Sequence, residues 1–580
     1  MKKELRVTFE PSGRCVFVLE GTVLLEAAAQ AGYIIQTPCG GAAKCDKCRV
    51  RITAGKCAPS PEEEHTLSAK LVKQGYRLAC QCKVHDELRV EVPDSSLFQT
   101  AQKILSHDAG GKIKLQSRTV KKYDAATGVT TTAIDGRVVP VEKGNTENKL
   151  YGIAFDLGTS TLVGTLVDLS NGADLGVASM VNPQISYGDD VVSRIKKCRD
   201  EKDGLKQLQD AVIKAFNSLI SKLLKEAGVK RDHVYEAVFA GNTAMQEIFC
   251  GINPGKLGEI PFLAEFIDPL TRKASELGLN INPAGGVHIF PQIGGFVGGD
   301  TVAGIIATKM DSLKEPALLV DVGTNGEIVL CSKGRLTATS VAAGPAFEGA
   351  RIINGMRGTT GAVEKVVVNE EDIQFNVIGN TKPSGICGSG LIDIMAELLR
   401  IEVIDSTGRI QAPEELKDVP AKIRNRVKKQ NGQYSFLLVN GKESATGKPI
   451  YLYQKDVREL QLANGAIRAG INILLKMEGL KASDLGSVLL AGAFGNFIRR
   501  KNARRIGMLP PIPCERIRFM GNTASFGAKM VLLSTAEEEY ATRITRATKH
   551  VDLSLDPAFQ EEFSSAMLFP EKELQLDAEC

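Results

Sequence analysis

Two stretches of this chain are written on one template. GIAFDLGTSTLVGTLVDL, beginning at Gly152, and ALLVDVGTNGEIVL, beginning at Ala317, each run as an apolar strand to an aspartate, then Gly-Thr, a polar residue and a second strand. The two aspartates, Asp156 and Asp321, stand 165 residues apart. A second echo pairs AVFAGNTAMQEIF with RIRFMGNTASFGAKM, each a strand, Gly-Asn-Thr and a helix. Repetition on this scale predicts a duplicated α/β lobe with a cleft between its copies. A single core is excluded, because 580 residues are too many for one.

The chemistry of the repeats suits a nucleotide triphosphate in that cleft. Gly158 and Gly323 allow tight hairpins whose backbone N–H groups face phosphate oxygens. Thr159, Ser160, Thr324 and Asn325 add side-chain donors. Asp156 and Asp321 can hold hydrated Mg²⁺ from opposite sides, since magnesium keeps several waters and needs only one or two carboxylates. A third glycine turn, VLLAGAFGNF, follows another apolar strand; Gly492 and Gly495 there leave room for a flat adenosine. Rival phosphate motifs fail: none of the five Gly-Lys pairs is followed by Ser or Thr, and no G-x-G-x-x-G opens a helix. One Asp-x-Gly-Thr alone is an ordinary strand-end turn; two copies followed by the third glycine turn are a far more specific pattern.

Cysteine carries the second signal. Seven of thirteen fall between residues 15 and 82, namely Cys15, Cys39, Cys45, Cys48, Cys57, Cys80 and Cys82. An odd total and this clustering argue for metal rather than a disulfide framework. PCGGAAKCDKC sets Cys39, Cys45 and Cys48 in a C-x5-C-x2-C array, and RLACQC supplies a further thiol. Four thiolates are what a [2Fe–2S] cluster requires. A zinc site is the alternative, but zinc ribbons use paired C-x2-C knuckles and the second pair here is C-x-C. The array is similar to that of adrenodoxin-like ferredoxins, whose last ligand sits in an L-x-C-Q context. That resemblance implies Cys80 rather than Cys82; the geometry of the pair alone does not settle it. Cys15 and Cys57 are expected to be packing residues. Around the cysteines, LRVTFEP and RCVFVLE predict a hairpin turning at Pro11-Ser12-Gly13, residues 22–30 a short helix, and residues 49–53 and 87–92 further strands.

With 72 basic against 68 acidic residues, the net charge of +4 is too even for a nucleic-acid coat or a polybasic membrane binder. No stretch approaches a membrane span and the opening MKKELRVTFE has no signal-peptide core, so a soluble, cytoplasmic protein is expected, with neither nucleic acid nor membrane as partner. Residues 98–149 are weakly patterned and predict a solvated linker, with loops or a small strand pair at TGVTTTAIDG; alternatively they tether an iron–sulfur unit that swings between partners. Arg499, Arg500, Lys501, Arg504 and Arg505 are expected on a solvated helix face, and Glu537, Glu538 and Glu539 on an exposed helix. The tail from His550 has weak periodicity and is assigned no role.

The duplicated turns and the third glycine turn resemble the phosphate-1, phosphate-2 and adenosine motifs of the actin, sugar-kinase and heat-shock ATPase superfamily. Together with the cysteine unit and with NPQISYGDDVVSRI, FVGGDTVAG and SGICGSGLID, the chain resembles the reductive activators of corrinoid-dependent enzymes over residues 1–95 and 151–535. The implied architecture is α/β: a β-grasp [2Fe–2S] ferredoxin-like domain (1–97), a linker or short middle region (98–149), a two-lobed actin-like ATPase domain (150–549, lobes near 150–315 and 316–549) and a tail (550–580). With only about 50 residues between the recognisable parts, a full middle domain is not expected.

The resemblance implies a function: ATP-driven, one-electron reduction of inactive Co(II) to Co(I) in a corrinoid protein. The partner would be the corrinoid protein of a methyltransferase or a corrinoid iron–sulfur protein, with an external low-potential electron donor and a homodimer. Cys39, Cys45, Cys48 and Cys80 would carry the cluster. Asp156, Gly158, Thr159, Ser160, Asp321, Gly323, Thr324 and Asn325 would hold Mg-phosphate, and Gly492 and Gly495 the adenosine. Asp300 is either a third acidic residue near the attacking water or a helix N-cap. Ser389 is either a partner-facing hydroxyl that approaches cobalt or a helix cap before LIDIMAELL; Cys387 beside it is expected to be a small buried residue. The competing functions are a small-molecule kinase of the sugar- or acid-kinase type with a redox-sensing iron–sulfur domain, and a non-catalytic redox scaffold.

Overall fold

The computed structural model describes residues 3–11, 13–31, 33, 35, 43, 48–93, 96, 113–188, 190–369, 372–430, 432–492, 498–554 and 556–571. The first unit is a five-stranded sheet of β1 (Glu4–Glu10), β2 (Arg14–Leu19), β3 (Arg49–Ala54), β4 (Tyr76–Leu78) and β5 (Leu88–Glu91), in the order β2-β1-β5-β3-β4. β1 pairs antiparallel with β2 and parallel with β5, so the first hairpin is grasped by the last strand. Gly13, at φ +67°, closes that hairpin. Val7, Phe9, Val18, Leu78 and Val90 form its core with the helix Leu24–Gln30.

The expected linker is structured where it is described. β6 (Thr119–Asp124), β7 (Val129–Ile134) and β8 (Arg137–Lys143) make an antiparallel meander. Buried contacts clamp it to the next unit: the Arg118 guanidinium reaches Glu236 at 3.3 Å and Glu538 at 2.6 Å, and the Thr119 hydroxyl donates to Glu236 at 2.6 Å. A charged pair this deep holds only if both partners stay together, so this stretch is not a free tether.

The first lobe is a sheet of β9 (Tyr151–Leu157), β10 (Thr161–Asp168), β11 (Asp174–Val181), β12 (Val234–Gly241), β13 (Leu270–Lys273) and β14 (Gly286–Ile289), ordered β11-β10-β9-β12-β14-β13. The amphipathic helix Gly204–Ala227 covers it and ends at Gly228, φ +67°. Phe155, Phe216, Phe239 and Phe249 stack together in its core. The second lobe begins with β15 (Ala317–Val322), β16 (Gly326–Ser332) and β17 (Arg335–Val341). Two three-stranded sheets are inserted, β18 (Ala362–Val368), β19 (Ile373–Val377) and β20 (Gly385–Ile386), then β21 (Val427–Gln430), β22 (Gln433–Val439) and β23 (Ile450–Tyr453). β24 (Ser487–Ala491), β25 (Ile517–Gly521) and β26 (Lys549–His550) complete the main sheet, ordered β25-β24-β15-β16-β17-β26.

The duplication is therefore physical: β11-β10-β9-β12 in one lobe repeats as β17-β16-β15-β24 in the other, with the same parallel and antiparallel pairings. The second sequence echo is different. One Gly-Asn-Thr follows β12, beside the aspartate strand; the other follows β25, one strand further out. The two stretches look alike because each makes a strand-to-helix turn capped by asparagine, not because they occupy equivalent places.

Other sequence expectations are corrected by burial. Arg499, Arg500, Arg504 and Arg505 are buried, with Arg499 stacked 3.6 Å from the centre of the Phe17 ring of the first unit. Glu537 and Glu538 are half-buried and paired with Lys309 and Arg118. The tail contributes a helix, Pro557–Ala566, whose Phe559 and Phe563 pack on the second-lobe core, while β26 extends that lobe's sheet. Among the described residues no helix is long and apolar enough to cross a membrane.

Candidate functional site

A cavity of about 560 Å³ lies between the lobes, within the range of small-molecule sites. Strand direction explains it. β9 and β15 both end at this cleft, and each delivers its aspartate and then its glycine turn there, so Asp156, Gly158, Thr159, Ser160, Asp321, Gly323, Thr324 and Asn325 all line one space. Gly158 has no room for a side chain, since a Cβ would lie 2.5 Å from the Thr161 carbonyl oxygen.

The cavity is acidic. Loss of water, with the nearby Asp300 adding to it, pushes Asp156 and Asp321 each up to about 7. Asp300 itself is raised to about 6, chiefly by the same desolvation. Glu327 beside them is raised well above the carboxylate range, first by burial and then by Asp300 and Asp321. Buried carboxyls that hold protons chiefly because they have lost water, and that also face one another, fit a hydrated divalent cation; Asp156 and Asp321, one per lobe, would hold it. Asp300 is not an N-cap. Gly298 occupies the cap of the helix Gly299–Thr308, and the Asp300 carboxylate lies in the first turn, accepting the Thr301 N–H at 2.7 Å.

Residues that the sequence motifs did not single out hold these turns in place. Asn182, in NPQIS, donates to the Gly158 carbonyl at 2.9 Å, and Arg194 to the Thr159 carbonyl at 2.8 Å. Asn242 caps the helix Thr243–Phe249 by accepting the Met245 N–H and donates to the Thr159 hydroxyl at 2.9 Å. Asn522 caps the helix Thr523–Leu533 and donates to Asp156 at 2.7 Å. The Gly-Asn-Thr echo was the available signal for both asparagines. Glu348 joins the two turns, accepting from the Ser160 and Thr324 hydroxyls, and no motif marked it.

Gly492 lies beside Asp321: its φ is +84°, and a Cβ there would come within 2.4 Å of the Asp321 carboxylate. It therefore lines the carboxylate end of the cleft, while Gly495 lies outside the described residues. Ser389 is only 4% exposed, in the first turn of the helix Gly388–Arg400, 3.4 Å from the buried Cys387 sulfur. It faces the cavity rather than an outer surface, and Cys387, not Ser389, is the cap residue.

In the first unit, Cys39 and Cys45 lie outside the described residues. Cys48 and Cys80 bring their sulfurs within 3.4 Å. The Cys48 hydrogen bond is the largest influence drawing the Cys80 thiol down, to about 6, and Gln81 adds to it. Thiolate formation is what iron ligation demands, so this pair fits the cluster. The buried Glu63 holds the approach to Cys80, accepting the Leu78 N–H at 2.5 Å. Cys57 and Cys82, expected to be a packing residue and the rival ligand, are instead joined in a disulfide; their Cα atoms lie 6.8 Å apart, within bridging reach.

The cluster unit is docked on the second lobe. Asn376 donates to the Gly13 carbonyl at 2.7 Å, and the Cys15 N–H donates to Glu364 at 3.3 Å. Glu364 and Arg14 both line the inter-lobe cavity, so the docking contact is part of its wall.

Three family models match the chain: a 2Fe-2S iron-sulfur cluster binding domain over residues 7–85, the RACo middle region over 151–313, and the C-terminal domain of RACo, the ASKHA domain, over 315–579. The corrinoid activation enzyme RamQ of Eubacterium limosum is 34% identical over 97% of this chain and 99% of its own length. The chain belongs to the corrinoid activation enzymes. Among such relatives, a [Co(II) methylated amine-specific corrinoid protein] reductase of Methanosarcina barkeri is 25% identical over 68% of this chain and 72% of its own. A solved structure titled reductive activator for corrinoid, iron-sulfur protein is 32% identical, covers 99% of both chains and superposes with a TM-score of 0.71. In this corrinoid activation enzyme the family's middle region, residues 151–313, coincides with the first lobe.

Proposed function

We propose that this chain reduces the inactive Co(II) corrinoid of a partner protein to Co(I), one electron at a time, with ATP bound and hydrolysed in the inter-lobe cleft. The observation that carries this is the shared wall: Glu364 lines the nucleotide cavity and also accepts the backbone N–H of Cys15 in the cluster unit. A change in the cleft therefore reaches the electron-carrying unit through one buried side chain.

When bound by Cys39, Cys45, Cys48 and Cys80, the [2Fe–2S] cluster supplies one-electron chemistry, and Mg²⁺ at Asp156 and Asp321 offsets phosphate charge. The chain's own residues do the rest. Thr159, Ser160, Thr324 and Asn325 present donors to phosphate oxygens from the two lobes. Asn522 orients the Asp156 carboxylate. Asp300, held near 6, accepts a proton from water at its carboxylate. Gly492 keeps the wall beside Asp321 low enough for a ligand. Ser389, buried in the same cavity, supplies a hydroxyl to its wall beside the Cys387 sulfur at 3.4 Å. ATP can drive an uphill electron transfer only if the closed and open lobes bind the partner differently. The partner is a corrinoid protein, the donor an external low-potential protein, and the working form a cytoplasmic homodimer.

The test is anoxic visible spectroscopy of a Co(II) corrinoid protein mixed with this chain, a low-potential reductant and Mg-ATP. Growth of the Co(I) band that needs both reductant and ATP is the expected result. ATP turnover stimulated by a small phosphoryl acceptor, with no Co(I), would move the assignment to a kinase.

A further inference from the structure

Glu348 stands between the two phosphate turns and uses both of its oxygens. One accepts the Ser160 hydroxyl of the first lobe at 2.7 Å, the other the Thr324 hydroxyl of the second at 2.5 Å. These two hydroxyls are among the donors the cleft offers to a phosphate, one from each lobe, and a carboxylate answers them as a phosphate would: anionic, acceptor-only, able to bridge. We propose that Glu348 is a resident anion in the phosphate seat, holding the two turns together in the nucleotide-free chain, and that nucleotide binds by displacing it. This rests on the cleft being a nucleotide site and goes beyond it by naming the residue that sets nucleotide affinity.

The local backbone suits such an exchange. Glu348 ends a single 3₁₀ turn, Pro345–Glu348, bounded by Gly344 and Gly349 at φ +76° and +77°. Both ends are fixed. The Gly344 N–H donates to the Thr324 carbonyl at 2.8 Å, and a Cβ on Gly349 would lie 2.3 Å from the Met356 carbonyl oxygen. Phe347, 2% exposed, is embedded in the second-lobe core. What remains free to move is the Glu348 side chain, so exchange requires rotation about its own bonds and no rearrangement of the turn.

Charge supplies the reason it must leave. Asp156, Asp300, Asp321 and Glu327 line the same cavity. A polyphosphate cannot accept from the Ser160 and Thr324 hydroxyls while the Glu348 carboxylate accepts from the same two groups, because two anions would then face each other at hydrogen-bond range. Once Glu348 has turned away, the Ser160 and Thr324 hydroxyls are open to phosphate oxygens.

The experiment titrates the full chain, cluster intact, with a fluorescent ATP analogue and Mg²⁺ for wild type, Glu348→Gln and Glu348→Ala. Both variants should bind about tenfold more tightly, equivalent to about 1.4 kcal/mol. Tightening is the direction that general structural damage does not produce, and an unchanged circular-dichroism melting curve reports the fold of the lobes; the near-isosteric glutamine decides if the alanine variant fails to fold. Wild-type binding with equal or weaker binding by Glu348→Gln overturns the proposal alone, and would make Glu348 a phosphate-site ligand or a bystander. No nucleotide binding by wild type, with its cluster intact, overturns the nucleotide reading and this proposal together.

Discussion

The Asn522 side-chain amide donates to the Asp156 carboxylate at 2.7 Å, across 366 residues of chain. Its oxygen meanwhile accepts the Ser525 N–H and so begins the helix Thr523–Leu533. That helix follows a second-lobe strand but packs on the first-lobe helix Gly299–Thr308, so closely that a Cβ on Gly527 would lie 2.4 Å from the Ala303 carbonyl oxygen. One lobe's chain therefore aims the carboxylate that ends the other lobe's β9.

Replacing Asn522 with alanine removes both the cap and the donor to a carboxylate. Hydrogen bonds to charged groups contribute about 1.5–3 kcal/mol, so Mg-nucleotide affinity should fall by at least tenfold while the cluster spectrum stays unchanged. Unaltered affinity would show that Asp156 needs no such support.

Asp321→Asn removes one of the two facing carboxylates. The cluster should remain visible and reducible, and ATP should no longer stimulate Co(I) formation. Stimulation at the wild-type level would remove Asp321 from the magnesium site.

The two neighbouring cysteines separate cleanly by prediction. Cys80→Ala should lose the visible absorbance of the cluster, because its sulfur is the one beside Cys48. Cys82→Ala should keep the absorbance and lose only the link to Cys57. The reverse result would reassign the fourth ligand.

Acidity gives an independent handle. Asp156 and Asp321 are raised from 3.8 to about 7, so the folded chain keeps protons that the unfolded chain has released. Their contribution to stability is fully present below the unfolded value and is lost as pH rises from about 4 towards 7. Magnesium competes for the same sites, so its affinity should increase from about pH 6 to about pH 8, with protons released on binding. Calorimetry in buffers of different protonation enthalpy measures this; equal heats near pH 6 would contradict it.

Arg499 is held between Phe17 and Glu4 of the cluster unit and Glu397 of the second lobe. Arg499→Ala takes the cation from beside the buried Glu4, while Glu397 keeps Arg400 at 2.7 Å, and breaking a buried pair costs up to about 3–5 kcal/mol. Limited proteolysis should then release the cluster unit faster, with ATP binding retained. An unchanged digestion pattern would mean that the Gly13 and Cys15 contacts alone hold the dock.

Fold class, cluster type and the two phosphate turns were legible in the sequence because each is a local pattern: an apolar run, a glycine where the chain must turn, thiols at short spacing. Strand alternation likewise marks β1 and β2 correctly, and a continuous apolar run marks β9. Of the meander of residues 119–143 only a small strand pair around β7 was legible, since its strands are rich in lysine and threonine and its anchor, Arg118 to Glu236, joins residues 118 apart. The arginines 499–505 read as solvated for the same reason: a run of charge looks like surface until another unit is laid over it.

By itself, then, the sequence determined which groups the chain can present: two aspartates with their hydroxyl-bearing turns, the clustered thiols, and the asparagines ready to cap helices. Only the tertiary structure decided which of them meet. It set Cys80 against Cys48 and turned Cys82 towards Cys57, placed Gly492 beside Asp321, and put Glu348 between Ser160 and Thr324. Spacing along a chain restricts only near neighbours, whereas a partner 188 residues away is chosen by how whole sheets and helices pack.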